Sequence, residues 1–404
     1  MDILLRRANI EGRTKLCDIA FKNGEVVAIE ENISQDVIAE EEIDLQGTFV
    51  FSGFVESHLH LDKSNIQDRC KAQRGDLAEA IELVARAKKD FSEKDIYQRS
   101  LQSLKKCIQA GTTFVRTQIE VDPVIGLKGL NGVQAAAKEL REYIDVEICV
   151  FPQEGLLNYP GTEELLISSL KQGIPVLGAA PYTDSNQHGQ IDRIFELANQ
   201  YDVDIDMHLD FFLTTEQMDL PYVLKKTVEY GYQNRVTIGH VTTLSTLLPD
   251  ALKRVAAQMC ESGVHLTVMP ATDLFLMGRA HQCNVPRGLT PAHILKNEGV
   301  QCSISTNNIL NPFTPMGDGS LCRMANLYAN ICQIGTSQGM QDCFEMVSKS
   351  AAKVVGKNYD KITVGTKNMV ILTSVNRENA VAELATPQYI IRNGVITQRH
   401  NHYS

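Results

Sequence analysis

Phe49-Val50-Phe51-Ser52-Gly53-Phe54-Val55-Glu56-Ser57-His58-Leu59-His60-Leu61-Asp62-Lys63 is an apolar, β-prone run that ends in two histidines separated by one residue. Side chains alternate faces along a strand, so His58 and His60 point the same way. Two imidazoles on one face reach a single metal ion. The end of a strand is also where a parallel α/β fold builds its site. An isolated His-x-His is equally at home in an ordinary turn, so the rest of the chain decides between these readings.

Working outward, strand and helix periods alternate through the middle of the chain. Strand-like runs fall at 50–60, 113–118, 147–152, 176–180, 204–208, 235–240, 265–270 and 301–305. Amphipathic helical stretches lie between them, at 77–110, 132–143, 189–201, 223–232 and 245–262. Eight β-then-α units make a closed (β/α)8 TIM barrel the expected α/β architecture, ahead of an open doubly wound sheet. No glycine-rich dinucleotide fingerprint and no P-loop follows any of the strands.

The two ends of the chain read differently. Short alternating segments are punctuated by Gly12 and Asn23-Gly24 near the start and by Asn393-Gly394 near the end. Asn-Gly between two apolar runs is a strong hairpin signal. Residues 1–50 and 361–404 are therefore expected to pair into one small β-sandwich lobe, leaving 51–360 as the barrel.

With 43% hydrophobic and 22% charged residues, the 404-residue chain can bury a large core and reads as an ordinary soluble protein. Its net charge of −10 argues against nucleic acid or an anionic membrane as the main partner. The sequence has neither a signal-peptide pattern at Met1–Arg7 nor an apolar run long enough to span a membrane. Its ten cysteines form no CxxC pair, which suits free thiols in a reducing cytoplasm.

In a barrel, functional side chains sit at the C-terminal ends of strands. Four of the ten histidines do so here: His58 and His60 on the first strand, His208 on the fifth and His240 on the sixth. The eighth strand ends at Thr306-Asn307-Asn308. His265 begins a strand and so lies at the wrong end. His188, His281 and His293 belong to loops or helices, and His400 and His402 to the tail.

This constellation resembles the amidohydrolase superfamily, in its branch of cytosine deaminase and N-isopropylammelide isopropylaminohydrolase. Supporting segments are 150–155 with Gln153, 269–273 with Met277-Gly278-Arg279, and 311–317. The resemblance spans nearly the whole chain. It implies His58, His60 and His208 as ligands of a divalent metal, zinc or iron. It implies His240 as a catalytic contact to metal-bound water or substrate oxygen. Gln153 would read the amide edge of a pyrimidine-like substrate, with Asn308 beside it. Binuclear relatives carry a lysine after the fourth strand; 177–182 has none, so one metal is expected. Barrels of this family often associate, and the helical stretch 321–334 would serve a homo-oligomer.

Two positions depart from the family. Its fourth ligand and general base is an aspartate after strand eight, where this chain has Asn307. Its deaminases place a glutamate three residues beyond the strand-five histidine, where this chain has Phe211. A neutral amide cannot take a proton from metal-bound water at neutral pH, and losing a positioned acid or base costs about 10² to 10⁴ in rate. Asp210 and His240 are candidate replacements, with Asp210 either facing inward or capping a helix. Asp62, Lys63 and Asp184 read better as caps or salt bridges than as catalysts. Phe211 makes the pocket more apolar, which suggests a substrate bulkier or less polar than cytosine. The expected function is mononuclear hydrolysis of a C–N bond in a small nitrogenous cyclic compound. The competing reading is a catalytically degenerate binding protein on the same barrel.

Overall fold

A computed structural model describes residues 1–359 and 361–400. Residues 401–404, including His402 and the end of the expected lobe, lie outside the described residues. Five strands precede the barrel: β1 (Ile3–Ile10), β2 (Cys17–Lys22), β3 (Glu25–Glu30), β4 (Glu41–Asp44) and β5 (Phe49–Phe51). The barrel strands are β6 (Phe54–Leu59), β7 (Thr112–Glu120), β8 (Asp145–Phe151), β9 (Val176–Ala179), β10 (Asp204–Leu209), β11 (Val236–His240), β12 (Val264–Val268) and β13 (Cys302–Ile304). They form one parallel sheet in sequence order. The strands β14 (Met369–Leu372), β15 (Pro387–Arg392) and β16 (Val395–Arg399) return to the lobe.

The barrel strands are buried on both faces, as β6, β11 and β12 show along their whole length. Such strands carry continuous apolar runs instead of alternation. The barrel closes at its eighth seam just beyond β13. Leu59 bridges Asn307 in parallel. The Asn307 N–H donates to the His58 carbonyl at 2.9 Å, and the His60 N–H donates to the Asn307 carbonyl at 2.8 Å. The closing bridge therefore welds Asn307 between the two histidines of the opening stretch.

That stretch is divided between two sheets. β5 pairs with β1 and β14 in the lobe, whereas β6 pairs with β7 in the barrel. The chain changes sheet at Gly53, whose φ is 111°. A Cβ there would stand 2.4 Å from the Thr113 side chain, so only glycine makes this crossing. Apolar residues on both sides of Ser52-Gly53 make 49–55 read as one strand.

The stretch expected as one helix over 77–110 is two, α1 (Leu77–Ala87) and α2 (Glu93–Gln109). Ser92 ends the intervening turn and accepts the Asp95 N–H as the cap of α2. The remaining helices needed below are α3 (Lys128–Glu139), α4 (Thr162–Lys171), α5 (Gln187–Tyr201), α6 (Leu220–Glu229), α7 (Pro249–Ser262), α8 (Pro270–Leu276), α9 (Ala292–Asn297) and α10 (Leu321–Ile331). The apolar residues of α10, among them Leu321, Met324, Tyr328 and Ile331, are buried within the chain.

In the lobe, β14, β15 and β16 join β5, β1, β2 and β3 in one sheet, with β4 along β1. Both Asn-Gly pairs sit at hairpin turns, between β2 and β3 and between β15 and β16, with Asn23 and Asn393 at positive φ. The lobe has an apolar core of its own around Leu5, Ile19, Phe21 and Ile371.

Candidate active site

β6 and β10 bring His58, His60 and His208 together at the C-terminal end of the barrel. His208 Nε2 lies 3.1 Å from His58 Nε2 and 3.1 Å from His60 Nε2. Imidazoles bound tetrahedrally at about 2.0–2.1 Å have donor atoms roughly 3.3 Å apart, so this spacing suits one ion. All three rings are buried. Burial, reinforced by neighbouring histidines and Lys63, pushes their pKa values well below the usual imidazole value. They are therefore neutral lone-pair donors at neutral pH, the form a metal requires. Asn307 Oδ1 is buried with no hydrogen-bond partner among the described residues. Three neutral imidazoles and an unpaired amide oxygen are a donor set that fits a single divalent cation.

β11 carries His240 beside them, its ring centroid 5.7 Å from that of His208. His240 Nδ1 is 2.6 Å from Asp273 Oδ1, and the Met269 N–H donates to the other Asp273 oxygen at 3.2 Å. Asp273 lies in the first turn of α8 and is fully buried, which raises its pKa despite the histidine. The carboxylate holds the ring through Nδ1 and leaves Nε2 as the nitrogen for chemistry. Phe211 packs on the same ring with centroids 4.1 Å apart. His240, Val241 and Asn307 all have positive φ, at 68°, 47° and 63°. For a β-branched valine this is a true outlier, and such strain concentrates at functional sites.

Asp210 is not brought to the histidines. Its two oxygens accept the N–H groups of Asp219 (2.8 Å) and Leu220 (3.1 Å), at the start of α6. Burial raises its pKa to about 7. Of the two roles left open by spacing alone, the helix-capping one is realised. Asp184 likewise accepts from the backbone of Leu156, Leu157 and Asn158 and from Gln190.

Gln153, just beyond β8, is buried, and its Oε1 accepts from Lys63 Nζ at 3.2 Å. Asn308 is tied on both sides: its Nδ2 is 3.4 Å from Thr272 Oγ1, and its Oδ1 accepts from Asn311 at 2.7 Å. Lys63 belongs to a buried ion network. Its Nζ donates to Glu120 at 2.7 Å and stands 4.4 Å from the Phe313 ring centre. The other Glu120 oxygen accepts from Lys88 at 2.9 Å, and Lys88 also meets Asp122 (2.8 Å) and Glu154 (2.7 Å). Glu120, Asp122 and Glu154 form a second group with metal-like spacing, and the Lys88 ammonium is the cation that contacts all three. Asp62 accepts the Glu120 N–H at 2.8 Å, so both residues after the His-x-His pair have the structural roles expected of them.

Sequence reasoning missed Asp273 as the partner of His240, and Gln118 and Asp206 behind His58. Asp273 is three residues into a helix after β12, and no spacing rule connects it with His240. Gln118 and Asp206 face into the barrel from β7 and β10, where an inward polar residue is the only signal available.

A sequence profile described as the amidohydrolase family matches residues 101–367. N-isopropylammelide isopropyl amidohydrolase of a Pseudomonas species is 27% identical over 98% of this chain and 96% of its own. The structure of 5-methylcytosine deaminase from Klebsiella pneumoniae superimposes with a TM-score of 0.92 at 24% identity, covering 99% of each chain. That of N-isopropylammelide isopropylaminohydrolase from Burkholderia multivorans gives 0.84 at 23% identity, again covering 99% of each. At such identities the superpositions establish the shared barrel-and-lobe fold. With the profile covering most of the chain, the protein belongs to the amidohydrolase family and is a hydrolase of carbon–nitrogen bonds other than peptide bonds.

Proposed function

We propose that this enzyme removes ammonia or an amine from a small nitrogenous ring compound, using one divalent ion, zinc or iron, held by His58, His60 and His208. The observation that carries the reading is the convergence of three buried, neutral imidazole nitrogens at the strand ends. The bound ion would supply Lewis acidity and an activated water. Substrate class is inferred from the similar proteins, whose names specify N-isopropylammelide and 5-methylcytosine.

The chain's own residues define the rest. His240, oriented by Asp273, is placed to take and return a proton through Nε2. This suits a site where Asn307 stands in place of a carboxylate base. Gln153 has its oxygen engaged by Lys63 and its amide also bonds Tyr182, so the capacity it retains for a ligand is N–H donation to an acceptor edge of the ring. Phe211, packed on the His240 ring, gives the pocket an apolar wall. All ten cysteines are free, which supports a cytoplasmic setting, and no helix among the described residues is long and apolar enough to cross a membrane. The net charge of −10 supports a small-molecule substrate, and neither nucleic acid nor an anionic membrane, as the partner.

The competing reading, a binding protein without turnover, draws on Asn307 and Phe211. Metal analysis of purified protein, with ammonia and amine release from a panel of aminopyrimidines, aminotriazines and pterins, separates the two. Turnover that is lost to a chelator and restored by zinc or iron supports the enzyme. Ligand binding without product from any compound, at full metal occupancy, overturns it.

A further inference from the structure

Among the described residues, His58 is the one imidazole of the three with a carboxylate behind it. Asp206 Oδ1 lies 3.5 Å from His58 Nδ1, and both side chains are fully buried. Gln118 Nε2 is 3.4 Å from the same nitrogen. Asp206 Oδ1 and Gln118 Oε1 are both buried acceptors with no hydrogen-bond donor. A buried, unmet carboxylate oxygen 3.5 Å from one ring nitrogen calls for a proton on that nitrogen. An Nδ1–H on His58 meets Asp206 directly. The Gln118 amide nitrogen beside that ring nitrogen also bears on the Asp206 carboxylate. A proton on Nδ1 leaves the Nε2 lone pair facing His60 and His208.

Asp206 is held from the other side by a relay through the barrel. Its Oδ2 accepts from Arg116 Nη1 at 3.3 Å. Arg116 donates to Glu147 at 2.8 Å and to the Val355 carbonyl at 3.1 Å. Glu147 in turn meets Lys357 at 2.6 Å, at the end of the barrel opposite the histidines.

We propose that Asp206 is a positioning residue that fixes the metal-binding tautomer and the orientation of His58, with Arg116 and Glu147 holding the carboxylate in place. The inference rests on the metal reading above and extends it to groups that never touch the ion. Asp206→Asn tests it well, because the substitution conserves shape. Arg116 needs an acceptor, so the introduced amide turns its oxygen to Arg116 and its NH2 to His58. A donor then confronts the Nδ1–H, and the metal-binding tautomer is disfavoured.

The measurement is Zn2+ and Co2+ affinity of metal-stripped protein, by competition with a chromophoric chelator. Wild type and Asp206→Asn are compared, with urea unfolding of each metal-free protein alongside. A rise of about 10- to 100-fold in the dissociation constant of the variant is expected. Arg116→Met should raise it too, and the double variant should be no weaker than the worse single one, because both act through one carboxylate. If Asp206 serves only to neutralise Arg116, the variant unfolds more easily yet binds both ions as wild type does, and the proposal falls. Should wild type itself bind neither ion, the metal reading falls together with it. Normal binding by both proteins removes this proposal alone.

Discussion

Glu120→Gln probes the buried ion network that holds Lys63 beside the site. Glu120 is fully buried and receives Lys63 on one oxygen and Lys88 on the other. Burial alone would raise its pKa, but the two ammonium groups overcome it and hold the carboxyl at about 2, against an ordinary 4.5. Removing one partner from a buried ion pair typically costs about 3–5 kcal/mol, because the other charge is left uncompensated. Lys88 keeps Asp122 and Glu154, whereas Lys63 is left with the neutral Gln153 oxygen, so the cost falls mainly on Lys63. The sign follows from a depressed acid: the contribution is complete above the unfolded pKa near 4.5 and is lost as pH falls towards 2. Urea unfolding at pH 7 should therefore show Glu120→Gln less stable by about 3 kcal/mol, and the gap should roughly halve by pH 3. A gap below about 1 kcal/mol at pH 7, or one that stays flat down to pH 3, would refute the assignment of Glu120 as the charged keystone.

Asn307→Asp places a carboxylate where an unpaired amide oxygen now lies, and should tighten zinc binding roughly tenfold or more in chelator competition. Unchanged affinity would mean that the side chain does not face the ion. Asp273→Asn presents an NH2 group to His240 Nδ1, and kcat on a turned-over panel compound should drop about 100-fold with metal content unchanged. Equal kcat at neutral pH would remove His240 from proton transfer. Asp210→Ala strips the cap from the 219–220 backbone and should cost about 2 kcal/mol in urea unfolding while leaving metal affinity intact. Weaker metal binding in that variant would return Asp210 to the site.

The barrel was legible in the sequence because its strands are apolar on both faces and recur between amphipathic helices, a pattern that depends on neighbours in the chain. The His58/His60 pair and the strand-end positions of His208 and His240 were legible for the same local reason, since strand periodicity alone fixes the face and end of each residue. Both Asn-Gly turns were equally local. The sheet change at Gly53 was not, because what forbids a side chain there is Thr113, sixty residues away in sequence. The choice between capping and catalysis for Asp210 turned on where the start of α6 arrives, and spacing from His208 is silent on that. Asp273 behind His240, Asp206 behind His58 and the Glu120–Lys88 network are contacts between different strands and loops across the barrel top. Sequence by itself determined which histidines share a face and at which end of the barrel they stand. Tertiary structure alone decided their partners, because tautomer, charge and proton affinity are set by groups within a few ångströms in space, whatever their separation along the chain.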